Sequence, residues 1–328
     1  MISNRSKCMH ARRFLCGALL LAVLASVPTG AHAFPDKPIS LTVPFTAGGR
    51  ADIAARFVAD ALSKNLGVPV NVVNRTGSGG VAGAKHVAES KPDGHTLLIT
   101  SAAILIGQYT LDATIKLRDF KAIGLVENTP PVIAVSGNAP WKSVRELVTV
   151  AKEKPGALSI GSVPGATAQI VAAGFADAAG IQLTHVPFKG DGDAVIALAG
   201  GHIDINTSGP SGVRALAEAQ KVRILGVAAA ERLASFPNVP TLREQGVDFV
   251  SGLFLALFAP KETPEPVMAA LETALRKSMQ DEALIQKMEG AGLGPVFRGR
   301  GEAAAFLAEE DKTYLSVIAK LGMLREPK

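Results

Sequence analysis

From about residue 39 onward, short β-branched or apolar runs alternate with longer stretches whose apolar positions recur every three or four residues. Ile39 to Phe45, Val70 to Asn74 and Thr96 to Thr100 read as strands, separated by helices over Asp52 to Leu66 and Val81 to Glu89. In the first of these helices Ile53, Phe57, Val58, Ala61 and Leu62 share one face, and Gly67 supplies the stop. A second cycle predicts strands at Val132 to Val135, Ser159 to Ser162, Leu183 to Pro187, Ile203 to Asn206 and Ile224 to Val227. Its helices fall over Ser143 to Glu153, Ala166 to Ala179 and Ala194 to Ala199. Such alternation predicts an α/β fold with crossover helices on mainly parallel sheets. After the apolar run Leu253 to Ala259 and a turn holding Pro260, Pro264 and Pro266, the pattern turns helical, over 267–279, 282–289 and 301–320. With too few strands left for a third domain, these helices are expected to return to the first sheet. The expected partition is a first lobe of 34–132 plus 251–328 and an inserted second lobe of 133–250.

The segment before Phe34 follows different rules. Arg5, Lys7, Arg12 and Arg13 precede an apolar run from Phe14 to Val27, and Ala31-His32-Ala33 closes it. Charged, apolar and small-residue zones in that order are those of a secretory signal peptide, with cleavage expected after Ala33 and a destination outside the cytoplasm. The run is too short to span a bilayer, which takes roughly 20 apolar residues. Cys16 stands at the head of the run and not after it, which argues against a lipid anchor.

Removal of this segment changes what composition implies. It holds both cysteines and four of the 34 basic residues, so about +1 remains against 29 acids. A nearly neutral chain without a basic stripe does not suit nucleic acid. Without cysteine there is neither a disulfide nor a thiolate metal site. No G-x-S-x-G elbow occurs, and His86, His95, His185 and His202 lack short metal-ligand spacing. No catalytic residue, metal or cofactor is expected, and the chain is expected to act as a monomer.

In parallel α/β sheets ligands sit beyond the carboxyl ends of strands, so the strand-to-helix turns carry the candidate chemistry. In Pro44-Phe45-Thr46-Ala47-Gly48-Gly49-Arg50-Ala51-Asp52, two glycines allow close backbone approach and a helix start presents free N–H groups to an anion. Asp52 reads equally as the helix N-cap. The turn Asn74 to Gly83 fits the looser dinucleotide pattern at Gly77, Gly79 and Ala82. The next strand ends in Ser101 where a ribose-binding acid belongs, so a structural glycine loop is the better reading. Gly161-Ser162, with Thr167 after it, and Lys189-Gly190-Asp191-Gly192-Asp193 precede further helices. Ser162 and Thr167 can hold a carboxylate or cap their own helix. Asp191 and Asp193 cap theirs, or face the cleft and favour an ammonium.

Several ordered motifs lie together on this chain: Phe34-Pro35-Asp36-Lys37-Pro38-Ile39, Pro44-Phe45 to Asp52, Asn74-Arg75-x-Gly77-x-Gly79-Gly80, Pro92-Asp93-Gly94-His95-Thr96-Leu97-Leu98, His185 to Gly190, Gly200-Gly201-His202-Ile203-Asp204, Asn238-Val239-Pro240-Thr241 and Leu257-Phe258-Ala259-Pro260. In these the chain resembles the Bug, or TctC-like, extracytoplasmic solute receptors of tripartite tricarboxylate transporters. The resemblance implies a periplasmic-binding-protein fold (Venus flytrap), with two α/β lobes, a two-strand hinge and a small carboxylate or amino acid closed between them. It further implies delivery to membrane transporter subunits, or signalling to a membrane sensor kinase; an exported enzyme is the remaining alternative. Carried over by position, it points to Thr46, Ala47, Gly48, Gly49 and Asp52, and to Gly161, Ser162, Thr167, Lys189 and Gly190. Phe45, Arg50, Ser101, Asp191, Asp193 and Ser208 complete the candidate ligand set. Arg50, Asp191-Gly192-Asp193 and Ser208 depart from the usual pattern of the family.

Overall fold

The computed structural model describes residues 34–111, 115–163, 166–188, 190–233 and 235–325. The export segment, Cys8, Cys16 and the candidate Lys189 lie outside them. Eleven strands form two sheets among the described residues.

The first sheet has six strands, in the order β11 (Pro295–Arg298), β4 (Phe120–Thr129), β10 (Leu253–Pro260), β3 (Thr96–Thr100), β1 (Ile39–Val43) and β2 (Val70–Asn74). Parallel pairing sets Leu41 opposite Val72 on one side and Leu97 on the other. Ile39, Leu41 and Val43 are fully buried, as a strand covered by helices on both faces requires. Helix α1 (Arg50–Leu66) lays Ala54, Ala55, Val58 and Leu62 inward. Gly67 ends it in the left-handed conformation, its N–H donating to the Ser63 carbonyl. Helices α2 (Val81–Ala88) and α3 (Ala103–Thr110) follow β2 and β3.

The second sheet runs β7 (Thr184–Pro187), β6 (Ser159–Ser162), β8 (Ile205–Ser208), β5 (Val132–Ser136), β9 (Val222–Val227). Helices α4 (Val144–Glu153) and α5 (Thr167–Ala179) enclose one apolar cluster around Ile133, Ile160, Phe175 and Ile205. Helices α6 (Asp191–Ala199) and α7 (Pro210–Glu218) enclose another around Val132, Val195, Leu198 and Val213. Each fully buried side chain of this kind adds about 1.5–3 kcal/mol.

The chain passes between the sheets twice. Pro130 and Pro131 join β4 to β5, and the return runs from Ala228 to β10. The two passages touch: Ala228 N–H donates to the Pro131 carbonyl at 2.9 Å and Ser251 N–H to the Ala228 carbonyl at 3.0 Å. Helices α8 (Glu265–Ser278) and α9 (Glu282–Gly290) pack on α1. The last helix, α10 (Arg300–Lys320), packs on the first sheet and on α5, with Lys320 Nζ 2.6 Å from Asp177 Oδ1.

Several sequence expectations are corrected. The sheets are mixed and not mainly parallel, because β10, β11, β4 and β5 run antiparallel to their neighbours. Val132 opens β5 of the second sheet. Strands β4 and β11 and helices α3 and α7 were not expected, and β4 is ten residues long. Asp191, not Ala194, begins α6.

Candidate functional site

Four strand-to-helix turns end at one cavity of about 320 Å³. Gly49, Arg50 and Ala51 bring the start of α1 to it, and Ser101 and Ala102 that of α3. From the second sheet come Ala166, Thr167 and Ala168 at the start of α5, and Gly190 and Asp191 at the start of α6. The space falls within the range that holds small ligands, roughly 300–1,000 Å³. Ser101 Oγ accepts the Ala103 N–H at 3.3 Å. The other three starts have Gly49, Ala166 and Gly190 as N-caps and no side-chain cap. Their opening turns lie at the cavity, and among the described residues no side chain caps them, so that each helix brings about half a positive charge to it. The main chain is disposed to hold an anion.

Asp52 holds this arrangement in place from below. It is 2 % exposed, and its carboxylate accepts from Gly48 N–H at 2.8 Å, from Arg56 Nε and Nη2 at 3.0 Å each and from Asn74 Nδ2 at 2.9 Å. Burial alone would raise its pKa; the Arg56, Gly48 and Asn74 donors outweigh that and hold it at about 2. Asn74 Nδ2 also donates to the Phe45 carbonyl at 3.1 Å, tying β2 to the first loop. Gly83 is needed beside it, since a Cβ there would lie 2.6 Å from the Arg75 carbonyl oxygen and 2.8 Å from Pro44 Cβ. The glycine turn with the dinucleotide-like spacing thus packs α2 against the first loop.

Two ionisable side chains line the cavity among the described residues, one from each sheet. Arg50 donates through Nε to Glu127 Oε1 at 3.0 Å, and through Nη2 to the same oxygen and to the Leu253 carbonyl. Glu127, on β4, is fully buried and also accepts from Thr129 Oγ1 at 2.7 Å. Its Oε2 has no partner among the described groups. Across the cavity the Asp191 carboxyl is pushed above the ordinary range by burial, an effect the Arg50 charge moderates. The remaining wall is apolar: Phe45, Ala51, Ala102, Val163, Leu253, Phe254 and Leu255.

Of the candidates read from sequence, Phe45, Gly49, Arg50, Ser101, Thr167, Gly190 and Asp191 meet at the cavity. Others sit elsewhere for identifiable reasons. Asp52 is the third residue of α1 and not its N-cap, and its carboxylate is turned into the loop. Thr46, Ala47 and Gly48 are exposed outside the lining. Gly161 packs under Ile203, Ala194 and Asn206, and Ser162 is buried one residue before the lining Val163. Ser208 donates to Asn206 Oδ1 at 2.7 Å within the second sheet, and Asp193 is exposed on another side of α6. Glu127, and Leu253 and Leu255 of the wall from β10, carried no local signal. Phe254 is both wall and core, 1 % exposed and edge-on to Phe306 at 5.3 Å.

Residues 54–323 match the family model of the tripartite tricarboxylate transporter family receptor, TctC. The protein BugT of Bordetella pertussis is 29 % identical, over 93 % of this chain and 96 % of its own. A TctC solute binding protein from Polaromonas, solved without ligand, superposes with a TM-score of 0.82 at 30 % identity, covering 88 % of this chain and 99 % of that one. MatC from Rhodopseudomonas palustris, solved with bound malate, gives 0.68 at 27 % identity, covering 86 % and 98 %.

Proposed function

The chain belongs to the tripartite tricarboxylate transporter receptor family, and from that premise we propose that it is a periplasmic solute receptor whose cavity holds a small carboxylate and releases it unaltered to membrane subunits. The observation that carries this reading is the meeting of three uncapped helix starts, from two different sheets, at one cavity of ligand size. A carboxylate placed there takes main-chain N–H donors from both sides, so that it is held best when the two sheets approach each other. MatC, its structural relative, is a protein with bound malate. The two adjoining passages between the sheets are the hinge about which lobes of residues 34–131 plus 251–328 and 132–250 close. Export follows from the N-terminal segment, with cleavage after Ala33.

The test is thermal melting of the secreted chain, beginning at Phe34, against malate, succinate, adipate, citrate and a set of amino acids. At one hundred times its Kd a ligand adds about 2.7 kcal/mol, which raises the melting temperature by several degrees. The bound compound is then released by denaturation and identified by mass spectrometry, and it is expected back unchanged. Recovery of a converted product would refute the receptor reading in favour of an enzyme. The absence of a shift with every carboxylate would refute the assigned ligand class.

A further inference from the structure

Arg50 and Asp191 face one cavity from opposite sheets, and no other ionisable side chain lines it among the described residues. Arg50 is not an isolated cation. Glu127, with no exposure, sits against its Nε and Nη2, and the Leu253 carbonyl takes a further bond from Nη2. The pair is neutral as a unit, and Arg50 still lines the cavity. On that side the uncapped start of α1 adds more N–H donors. On the other side, at the start of α6, stands the Asp191 carboxylate, and among the described lining residues Arg50 is its one counter-charge.

A dicarboxylate suits this distribution less well: its second carboxylate would reach the neutral N–H donors at the starts of α5 and α6 only beside the Asp191 charge, or else an Arg50 already balanced by Glu127. A ligand with one carboxylate and one cationic donor suits it well. The wall of Phe45, Val163, Leu253 and Leu255 leaves an apolar surface for a third substituent.

We propose that this cavity selects a zwitterion, a small α-amino acid with an apolar side chain, its carboxylate at Arg50 and the start of α1 and its ammonium at Asp191. The inference rests on the receptor reading and narrows its ligand class. Asp191 is the residue that discriminates by charge, and Glu127 acts through Arg50 as a positioning residue.

The test is calorimetric titration of the secreted chain with L-valine and L-leucine, their deamino analogues 3-methylbutanoate and 4-methylpentanoate, and malate and adipate. The amino acids are expected to bind at least tenfold tighter than their analogues and than either dicarboxylate. In Asp191→Asn, a nearly isosteric change at the cavity wall, the preference over the deamino analogues is expected to fall below threefold. Glu127→Gln keeps the shape but removes the counter-charge of Arg50, and is expected to improve malate binding about tenfold. A chain that binds malate or adipate but no amino acid would overturn the proposal and leave the receptor reading standing. Tight valine or leucine binding that Asp191→Asn leaves unchanged would overturn the assignment of Asp191. Failure of all six compounds to bind would overturn the proposal, and a wider carboxylate panel would then decide the receptor reading on its own.

Discussion

Replacing Asp52 by Asn tests whether the first loop is held by a buried carboxylate. The side chain keeps its size and one acceptor oxygen, but sets an NH2 group among the Gly48 N–H, the Arg56 guanidinium and the Asn74 amide, all of which are donors. The carboxylate titrates at about 2 in the fold against an ordinary 3.8. With one pH unit worth about 1.4 kcal/mol, the ionised form is favoured by about 2 kcal/mol. Arg56 is half exposed, so its share is screened; Gly48 and Asn74 act at a buried oxygen and are screened less. Because the folded value lies below the unfolded one, this stability is present above about pH 4 and is lost as pH falls through 2. Urea unfolding at pH 7 should therefore show Asp52→Asn destabilised by about 2 kcal/mol, roughly 4–8 °C in melting temperature, with the gap closing toward pH 2. A gap below about 0.5 kcal/mol at pH 7, or one equally large at pH 2.5, would refute the reasoning.

Glu310, on α10, is pushed up to about 7 by burial, which Arg298 only partly offsets. A raised acid gives stability that is full below its ordinary 4.5 and lost as pH rises through 7. Glu310→Gln should thus match the parent at pH 4 and exceed it by roughly 2–3 kcal/mol at pH 8 in denaturant melts. Gly83→Ala drives a methyl group against the Arg75 carbonyl and Pro44, and should cost about 1–3 kcal/mol in the same assay. Gly48 has φ +81° with open space around it, so Gly48→Ala should cost only the left-handed strain, about 1–2 kcal/mol.

The sequence made the strands β1, β2, β3 and β6 legible because each is a short apolar or β-branched run bounded by Gly, Pro or polar turns. It hid β4 for a local reason: Gly124 and Glu127 interrupt its apolar run. Glu127 is a good partner there only because Arg50, 77 residues earlier, reaches it. The antiparallel pairing of β4 with β10 joins segments more than a hundred residues apart, and no local periodicity specifies it. At the site, the helix starts were readable from Gly-rich turns, but the direction of each side chain was not. Asp191 and Asp193 look alike in sequence, yet residues two apart on a helix point to different sides, and Asp191 alone lines the cavity.

In the proposed receptor, the hold on an anion is written mainly in backbone. The N–H groups at the starts of α1, α5 and α6 are the same chemistry whatever side chains surround them, so long as the glycine and alanine caps leave them open. On the proposed reading, general affinity for a charged end is thereby insulated from substitution, while choice among ligands falls to three side chains, Arg50, Glu127 and Asp191. Such a division makes the scaffold readily evolvable: an engineer, or selection, can rewrite what the far end of a ligand must look like by changing a few codons, without rebuilding the part that grips it.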